Sequence, residues 1–449
     1  MPSASLGSLP VKGTPEPRLA QVGDYGGRIA AHSIYALAMV TLINAFNNAD
    51  RALFGLLLPL IKVDLHMSDT MLGIMSGLAF AIFYALAGVP VALLADRWSR
   101  RNIIAIGFAF WSLMTALTGF AQNIGQLLIV RFLLGAGEAA GPAPSNSLVS
   151  DLFDARRRPI ALAILSTGVS VSFMVAFPIM GWVAQHHGWR SAFLLAGAPG
   201  FVLALIFYFT VREPARGSTD GAPPAKPDTI RATFRLLAHN PVYALLVLCM
   251  AVQGISMFGF QAWTPTFLAR TRHLSPQALG AYMGAIVGPT GIIGALAGGA
   301  ITTSLVKRDM RWLAWAPAAI MLLLVPSQFL LLYGHSDAAW QIGVALQNAL
   351  ISAQMAPLYA LCLGTVAPQN RATATAGMLL CMYLFGQTLG PLAVGLASDA
   401  MTPQLGEAAL RPGMTGLIAA TFAAALLCWR IARHMTGDGA AIRLQGNRN

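Results

Sequence analysis

Four ionisable side chains stand inside long apolar stretches: Asp50 and Arg51 in one, Arg131 and Glu138 in another. Burial pushes a carboxyl towards its neutral form, while a neighbouring guanidinium pulls it back towards charge. Such a set takes up or releases a proton when an anion draws the guanidinium away or when solvent access changes sides. Arg131 and Glu138 are seven residues apart, two helical turns, and so share a face. Pairing Arg51 with Glu138 and Asp50 with Arg131 would neutralise all four charges. A purely stabilising ion-pair cluster is the competing reading. Histidine is the other usual proton carrier, but all eight histidines lie at the ends of apolar stretches or between them. Proton chemistry therefore rests on Asp50 or Glu138.

Uncharged side chains could complete a cavity around this set: Asn44, Asn47, Asn48, Phe83, Tyr84, Ser170, Gln253, Trp263, Asn348, Gln354, Tyr359 and Gln387. Hydrogen bonding between helices, or packing, accounts for any one of them equally well. The four cysteines (Cys249, Cys362, Cys381, Cys428) have no metal-ligand spacing and read as small apolar packing residues. Gly135-Ala136-Gly137 is not a nucleotide loop, since no strand precedes it, and no P-loop is present. A membrane-embedded enzyme would need a His- or Ser-centred constellation. The nearest candidate, His186-His187, has no carboxylate close in sequence.

The elements that must position these residues follow from composition. Hydrophobic residues make up 56% of the chain and charged ones 10%, against about 25% charged in a soluble domain. Charge-free stretches recur at 70–95, 102–130, 159–189, 191–211, 242–269, 274–306, 338–370, 372–398 and 412–429. Most exceed the roughly 20 residues that carry a helix across a hydrocarbon core. Backbone polar groups cannot go unpaired in lipid, so these segments are helices. The predicted spans are 33–61, 69–95, 102–121, 124–150, 158–184, 190–211, 240–269, 276–304, 312–333, 338–366, 372–398 and 412–434. Residues 1–30 are polar and lack the apolar core of a signal peptide.

The net charge of +12 does not point to nucleic acid, because Lys and Arg gather at alternate span exits. Arg97, Arg100 and Arg101 follow the second span, Arg156 to Arg158 the fourth, Arg212 and Arg216 the sixth, and Lys307, Arg308 and Arg311 the eighth. The odd-numbered exits hold only Lys62, Arg190, Arg270, Arg272 and Arg411. By the positive-inside rule both termini are cytoplasmic. The polar segment 212–238, rich in Pro, Gly and Ser, divides the chain into similar halves.

The halves read as repeats. Leu72-Gly73 matches Leu279-Gly280 at an offset of 207, while Pro144, Arg158 and Pro178 match Pro357, Arg371 and Pro391 at 213. Parallel six-helix repeats with a site between them are a transporter design. At the same offset Arg131 becomes Val344 and Glu138 becomes Ile351, so the charge set belongs to one half alone. Pro178, Gly386, Gly390 and Pro391 are placed to permit close packing and bending.

The segment Ala92-Leu93-Leu94-Ala95-Asp96-Arg97-Trp98-Ser99-Arg100-Arg101 resembles the signature loop of the major facilitator superfamily, with Ala92 and Ser99 where that signature has Gly. Arg131, Gly135 and Gly137 resemble its second motif, and Gly188-Trp189-Arg190 and Arg212-Glu213-Pro214 fit as well. A narrower resemblance, to the Spinster-like branch, rests on Asn47-Asn48-Ala49-Asp50-Arg51, Gly135-Ala136-Gly137-Glu138-Ala139, Asp151-Leu152-Phe153 and Trp263-Thr264-Pro265. For Asp96, Arg97, Arg100, Arg101 and Asp151 the resemblance implies an inter-helix charge relay that holds one conformation shut. Charge topology alone explains the arginines but not Asp96.

The expected fold is therefore all-α and polytopic, a major facilitator fold of twelve transmembrane helices in two pseudo-symmetric six-helix halves. Its parts are an N-terminal tail (1–32), a first bundle (33–211), a cytoplasmic linker (212–238), a second bundle (239–434) and a C-terminal tail (435–449). The expected function is secondary active transport, proton-coupled as symport or antiport, by alternating access. The expected substrate is a small amphipathic or anionic organic molecule, lysolipid-like by resemblance. An uncoupled facilitator or exchanger of the same fold stays open; an enzyme is not expected. Expected partners are that substrate, protons and membrane lipid, with no nucleic acid, cofactor or metal. The chain is expected to be a monomer in a bacterial inner membrane.

Overall fold

With no water in a hydrocarbon core, each segment must close its hydrogen bonds along its own axis, and the computed structural model is helical throughout its spans. It describes residues 31–95, 97–154, 157–214, 239–366 and 370–435. Asp96, Arg156, most of the linker (215–238), residues 1–30 and residues 436–449 lie outside the described residues.

Eight helical stretches among the described residues are long and apolar enough to cross a membrane. Two of these, Ile160–Thr210 and Thr373–His434, have the length of two crossings each. Positive φ breaks them, at Gly188 (φ 80°) and Gly406 (φ 56°), a conformation glycine adopts at no steric cost. The remaining two spans are the 35-residue helix Ala31–Leu65 and the 28-residue helix Asp337–Gly364, whose polar residues dilute their hydropathy. The total is twelve.

Three spans are less regular than the sequence suggests. The fourth is two helices, Ile124–Glu138 and Pro142–Leu152, because Pro142 has no N–H to continue the first ladder. Glu138 is thus the last residue before a break. The second and eleventh spans each carry a π-helical segment, Ile74–Leu78 and Met382–Gln387. Such segments widen the helix and often mark functional sites.

The first span begins beside the end of the sixth, where Tyr35 Oη and Thr210 Oγ1 are 2.7 Å apart and Arg212 N–H donates to His32 Nε2 at 3.2 Å. This is the linker face; the first span runs from it to Leu65 on the far face.

Two seams join the halves, and they are related by the repeat. Gly77 of span two lies against Gln387 and Pro391 of span eleven, where an added Cβ would be 3.2 Å from Pro391 Cγ. Gly284 of span eight lies against Pro178 of span five, where a Cβ would be 2.6 Å from its Cγ and Cδ. Gly77 and Gly284 differ by 207, Pro178 and Pro391 by 213, the offsets seen in sequence. These prolines serve mainly as flat surfaces for a facing glycine. In the second half the free thiols of Cys249 and Cys428 approach to 3.3 Å, packing span seven against span twelve.

Candidate functional site

The four mid-span charges converge. Asp50, Arg131 and Glu138 are 4%, 2% and 0% exposed, and Arg51 Nε donates to Glu138 Oε2 at 2.5 Å. The Arg51 guanidinium also lies over the rings of Phe80 (4.7 Å) and Tyr84 (5.1 Å). The second pairing does not close. Arg131 stacks on Phe54 at 3.9 Å, leaving its Nε and Nη1 and both Asp50 oxygens without hydrogen bonds. Asp50 still feels Arg131, Thr115, Glu138 and Arg51 as neighbours. The cluster is one closed ion pair beside two opposite charges that act on each other without a direct hydrogen bond.

Arg51 is the member of this set that reaches open space. With Asn48, Gln261, Gln347, Asn348 and Gln387 it contributes the polar lining of a cavity of about 320 Å³ between the halves. Ser76, Thr264 and Ser352 add hydroxyls. Much of the remaining lining is apolar, with Phe173, Phe177, Phe258, Met257, Met283 and Ile351. Both π-helical segments contribute, through Ser76 and through Tyr383 and Gln387. The volume lies in the range of small-molecule pockets.

The residues expected around it divide. Asn48, Asn348 and Gln387 line the cavity; the rest are not part of its lining. Asn44 donates to Leu165 O at 2.9 Å and holds Asn48 through its carbonyls. Asn47 is buried with an unpaired Nδ2, and Gln253 and Gln354 are buried with both amide atoms unpaired. Tyr84 sits between Arg51 and Tyr383, whose ring centroid is 6.2 Å away. Trp263 donates to Pro391 O at 2.9 Å, inside the second half. Phe83 packs on Phe132 and is partly exposed. Tyr359 packs into the second-half core, and Ser170 lies at the Gly288 contact of the fifth and eighth spans. Ser76, Thr264, Ser352 and Met257 were missed, since nothing in their spacing marks them.

On the linker face Arg100 is the hub. It donates to Glu213 Oε1 at 2.8 Å, to Pro214 O at 3.0 Å, to Ser147 Oγ at 3.2 Å and to Asp151. Glu213 also accepts from the Arg101 amide (2.7 Å), the Arg100 amide (3.2 Å) and the Ser99 hydroxyl (2.9 Å). Burial opposes charge on Glu213, but those donors outweigh it and hold its carboxyl below the usual range. A carboxylate on the first amides of the third span also complements the helix dipole. Arg101 stacks over Tyr208 at 5.0 Å, and Arg97 is exposed. The partners described for Arg100 and Arg101 belong to the first bundle or, with Glu213 and Pro214, to the start of the linker that leaves it. Glu213 was overlooked as part of this clasp, because its only sequence signal was the Arg-Glu-Pro at the exit of span six.

A cavity walled by two repeated bundles, with a buried charge set at one side, defines a membrane carrier with a central site. The chain belongs to the Major Facilitator Superfamily, whose family model matches residues 40–391. It is 32% identical over 397 residues to an MFS-type efflux pump of Mycolicibacterium smegmatis, covering 88% of this chain and 92% of that one. It is 28% identical to human Protein spinster homolog 1, over 83% of this chain and 74% of that one. Among solved structures it is similar to a bacterial homolog of the human lysosomal transporter Spinster, in an inward-facing and unoccupied conformation. The TM-score is 0.82 at 26% identity, covering 94% of this chain and all of that one. The occupied form of that homolog gives 0.77. The protein is therefore an integral membrane transporter of the Spinster-like branch, not an enzyme, and moves a small-molecule substrate by alternating access.

Proposed function

We propose that the protein couples proton movement to transport of a small amphipathic anion, with the Arg51–Glu138 pair as the switch. One observation carries this reading. Glu138 is walled off from solvent, while the guanidinium that neutralises it lines the cavity. An anion entering the cavity competes for Arg51, and a carboxyl left without its counter-ion in a dry setting takes a proton. Asp50 and Arg131, buried beside that pair, are the reserve charges of the same set. A lining that combines one guanidinium and several amides with aromatic and aliphatic side chains supports a molecule with a charged head and an apolar tail, lysolipid-like. The arginine-rich exits support a cytoplasmic linker face, in a bacterial inner membrane. We take the monomer as the working unit, and Arg100 with Asp151 and Glu213 as the clasp that stiffens the first half at its cytoplasmic gate.

The test is pH-gradient-driven uptake, and exchange, of lysophosphatidylglycerol in proteoliposomes. Arg51→Ala and Glu138→Gln should abolish accumulation, with Glu138→Gln retaining exchange because the amide mimics the protonated acid. Normal gradient-driven uptake by both Glu138→Gln and Asp50→Asn would refute the proton role and leave an uncoupled facilitator. Uptake of organic acids in place of the lysolipid would overturn the substrate class alone.

A further inference from the structure

We infer that Asp69, Arg270, Ser398 and Asp399 form the latch that closes the far face, and that Lys62 is the partner to which Asp69 is handed when the latch opens. Asp69 is 1% exposed at the start of span two. Its carboxylate takes a bidentate contact from Arg270 of span seven, at 2.8 and 2.6 Å, and a hydrogen bond from Ser398 of span eleven at 2.6 Å. Asp399 reaches back in the other direction. Its two oxygens accept the backbone N–H of Asp69 at 2.9 Å and of Thr70 at 2.7 Å. Five hydrogen bonds thus join the halves at one point.

A bidentate Arg–carboxylate contact is among the stronger polar contacts a protein makes. Breaking it would normally strand Asp69, which is what makes buried ion pairs hard to separate. Lys62 removes that obstacle. Its Nζ is 2.6 Å from Asp69 Oδ1, and it belongs to the same half as Asp69. When the halves part, Arg270, Ser398 and Asp399 leave together, while Lys62 stays. Among the described residues the other seam has no such device. At the repeat offset Asp69 becomes Pro276, and there Gly181 meets the Pro276 carbonyl and Gly280 through backbone atoms alone. The polar step of far-face opening is therefore concentrated at the contact of spans two, seven and eleven.

This arrangement makes the latch and its resident partner act in opposite directions. Losing Arg270 or Asp399 weakens only the closed state. Losing Lys62 costs the open state more, because in the closed state Asp69 keeps Arg270 and Ser398. The measurement needs no substrate. Spin labels are placed at the exposed far-face positions of Val63→Cys and Leu405→Cys, one in each half, in a Cys381→Ala background. Their separation is read by double electron–electron resonance in nanodiscs. Arg270→Ala and Asp399→Asn should each raise the ratio of long to short distances by about tenfold or more, as expected for a lost charged hydrogen bond. Lys62→Met added to Asp399→Asn should return the population to the short distance. Asp399→Asn is nearly isosteric and carries the test should Arg270→Ala fail to fold. An unchanged distribution in the folded latch variants overturns the latch, and a longer distance on adding Lys62→Met overturns the hand-over.

Discussion

Arg51 Nε stands 2.5 Å from Glu138 Oε2, joining the middle of the first span to the break in the fourth. The same guanidinium lies over Phe80 and Tyr84 and borders the central cavity. One side chain therefore belongs to an ion pair, an aromatic stack and the cavity wall, and a change in any one is felt by the others.

The stability of that pair should be strongly non-additive. Removing one member of a buried ion pair leaves an uncompensated charge and costs about 3–5 kcal/mol. Glu138→Ala and Arg51→Ala should each cost an amount of this order, and the double variant distinctly less than their sum. Thermal unfolding in detergent across the double-mutant cycle gives the comparison; additive losses would show that the two side chains act independently.

Glu213 makes the linker face sensitive to acid. Its carboxyl is held below the usual range in the folded state, so its contribution is complete above the unfolded value of about 4.3. That contribution is lost as pH falls through the lower folded value. Between pH 7 and about pH 5 the wild type and Glu213→Gln should keep a constant gap in Tm. Below about pH 5 the gap should narrow, as the unfolded and then the folded carboxyl becomes protonated. A gap that widens on acidification would contradict this sign.

The seams tolerate no added volume. A side chain at Gly77 meets the backbone of Gln387, and one at Gly284 meets Pro178. Gly77→Val and Gly284→Val should each disfavour the closed far face by about 1–3 kcal/mol, the usual cost of overpacking. Gly88 lies on the same span as Gly77 with nothing within 4 Å of an added Cβ, so Gly88→Ala should be neutral or mildly stabilising. Labelling of a far-face cysteine separates the three.

The apolar wall should govern tail recognition. Ile351→Asn replaces a cavity-facing aliphatic group with an amide. A buried aliphatic side chain is worth about 1.5–3 kcal/mol, so affinity for lysophosphatidylglycerol should fall about tenfold or more. Binding of a short-chain glycerophosphate should barely change. Equal losses for both ligands would place Ile351 outside the tail contact.

The fold was legible because lipid leaves so few solutions. Charge-free stretches announced helices, and the matches at 207 and 213 reappear as the Gly77–Pro391 and Gly284–Pro178 contacts. The depth of the four mid-span charges was legible too, since charge in a span needs a reason. The contact geometry of Arg131 was not. Asp50 is its electrostatic neighbour, but whether the guanidinium closes on a carboxylate or lies on the face of Phe54 is a matter of side-chain torsion, and spacing does not encode torsion. Asp69 and Arg270 escaped notice for a different reason. At span ends a charge is expected to meet water, so nothing in the sequence marks one that is buried across an interface. The break before Pro142 and the two π-helical segments were likewise invisible to a pattern that assumes unbroken 3.6-residue turns.

Val344 and Ile351, the repeat counterparts of Arg131 and Glu138, both line the cavity. Their first-half counterparts lie behind the lining, where Glu138 holds Arg51, the one charged residue among the described residues of the cavity lining. The two halves therefore do not offer a guest equivalent surroundings. On the reading proposed above, an anionic group is drawn to the first half, and a transported molecule should take one preferred orientation rather than two.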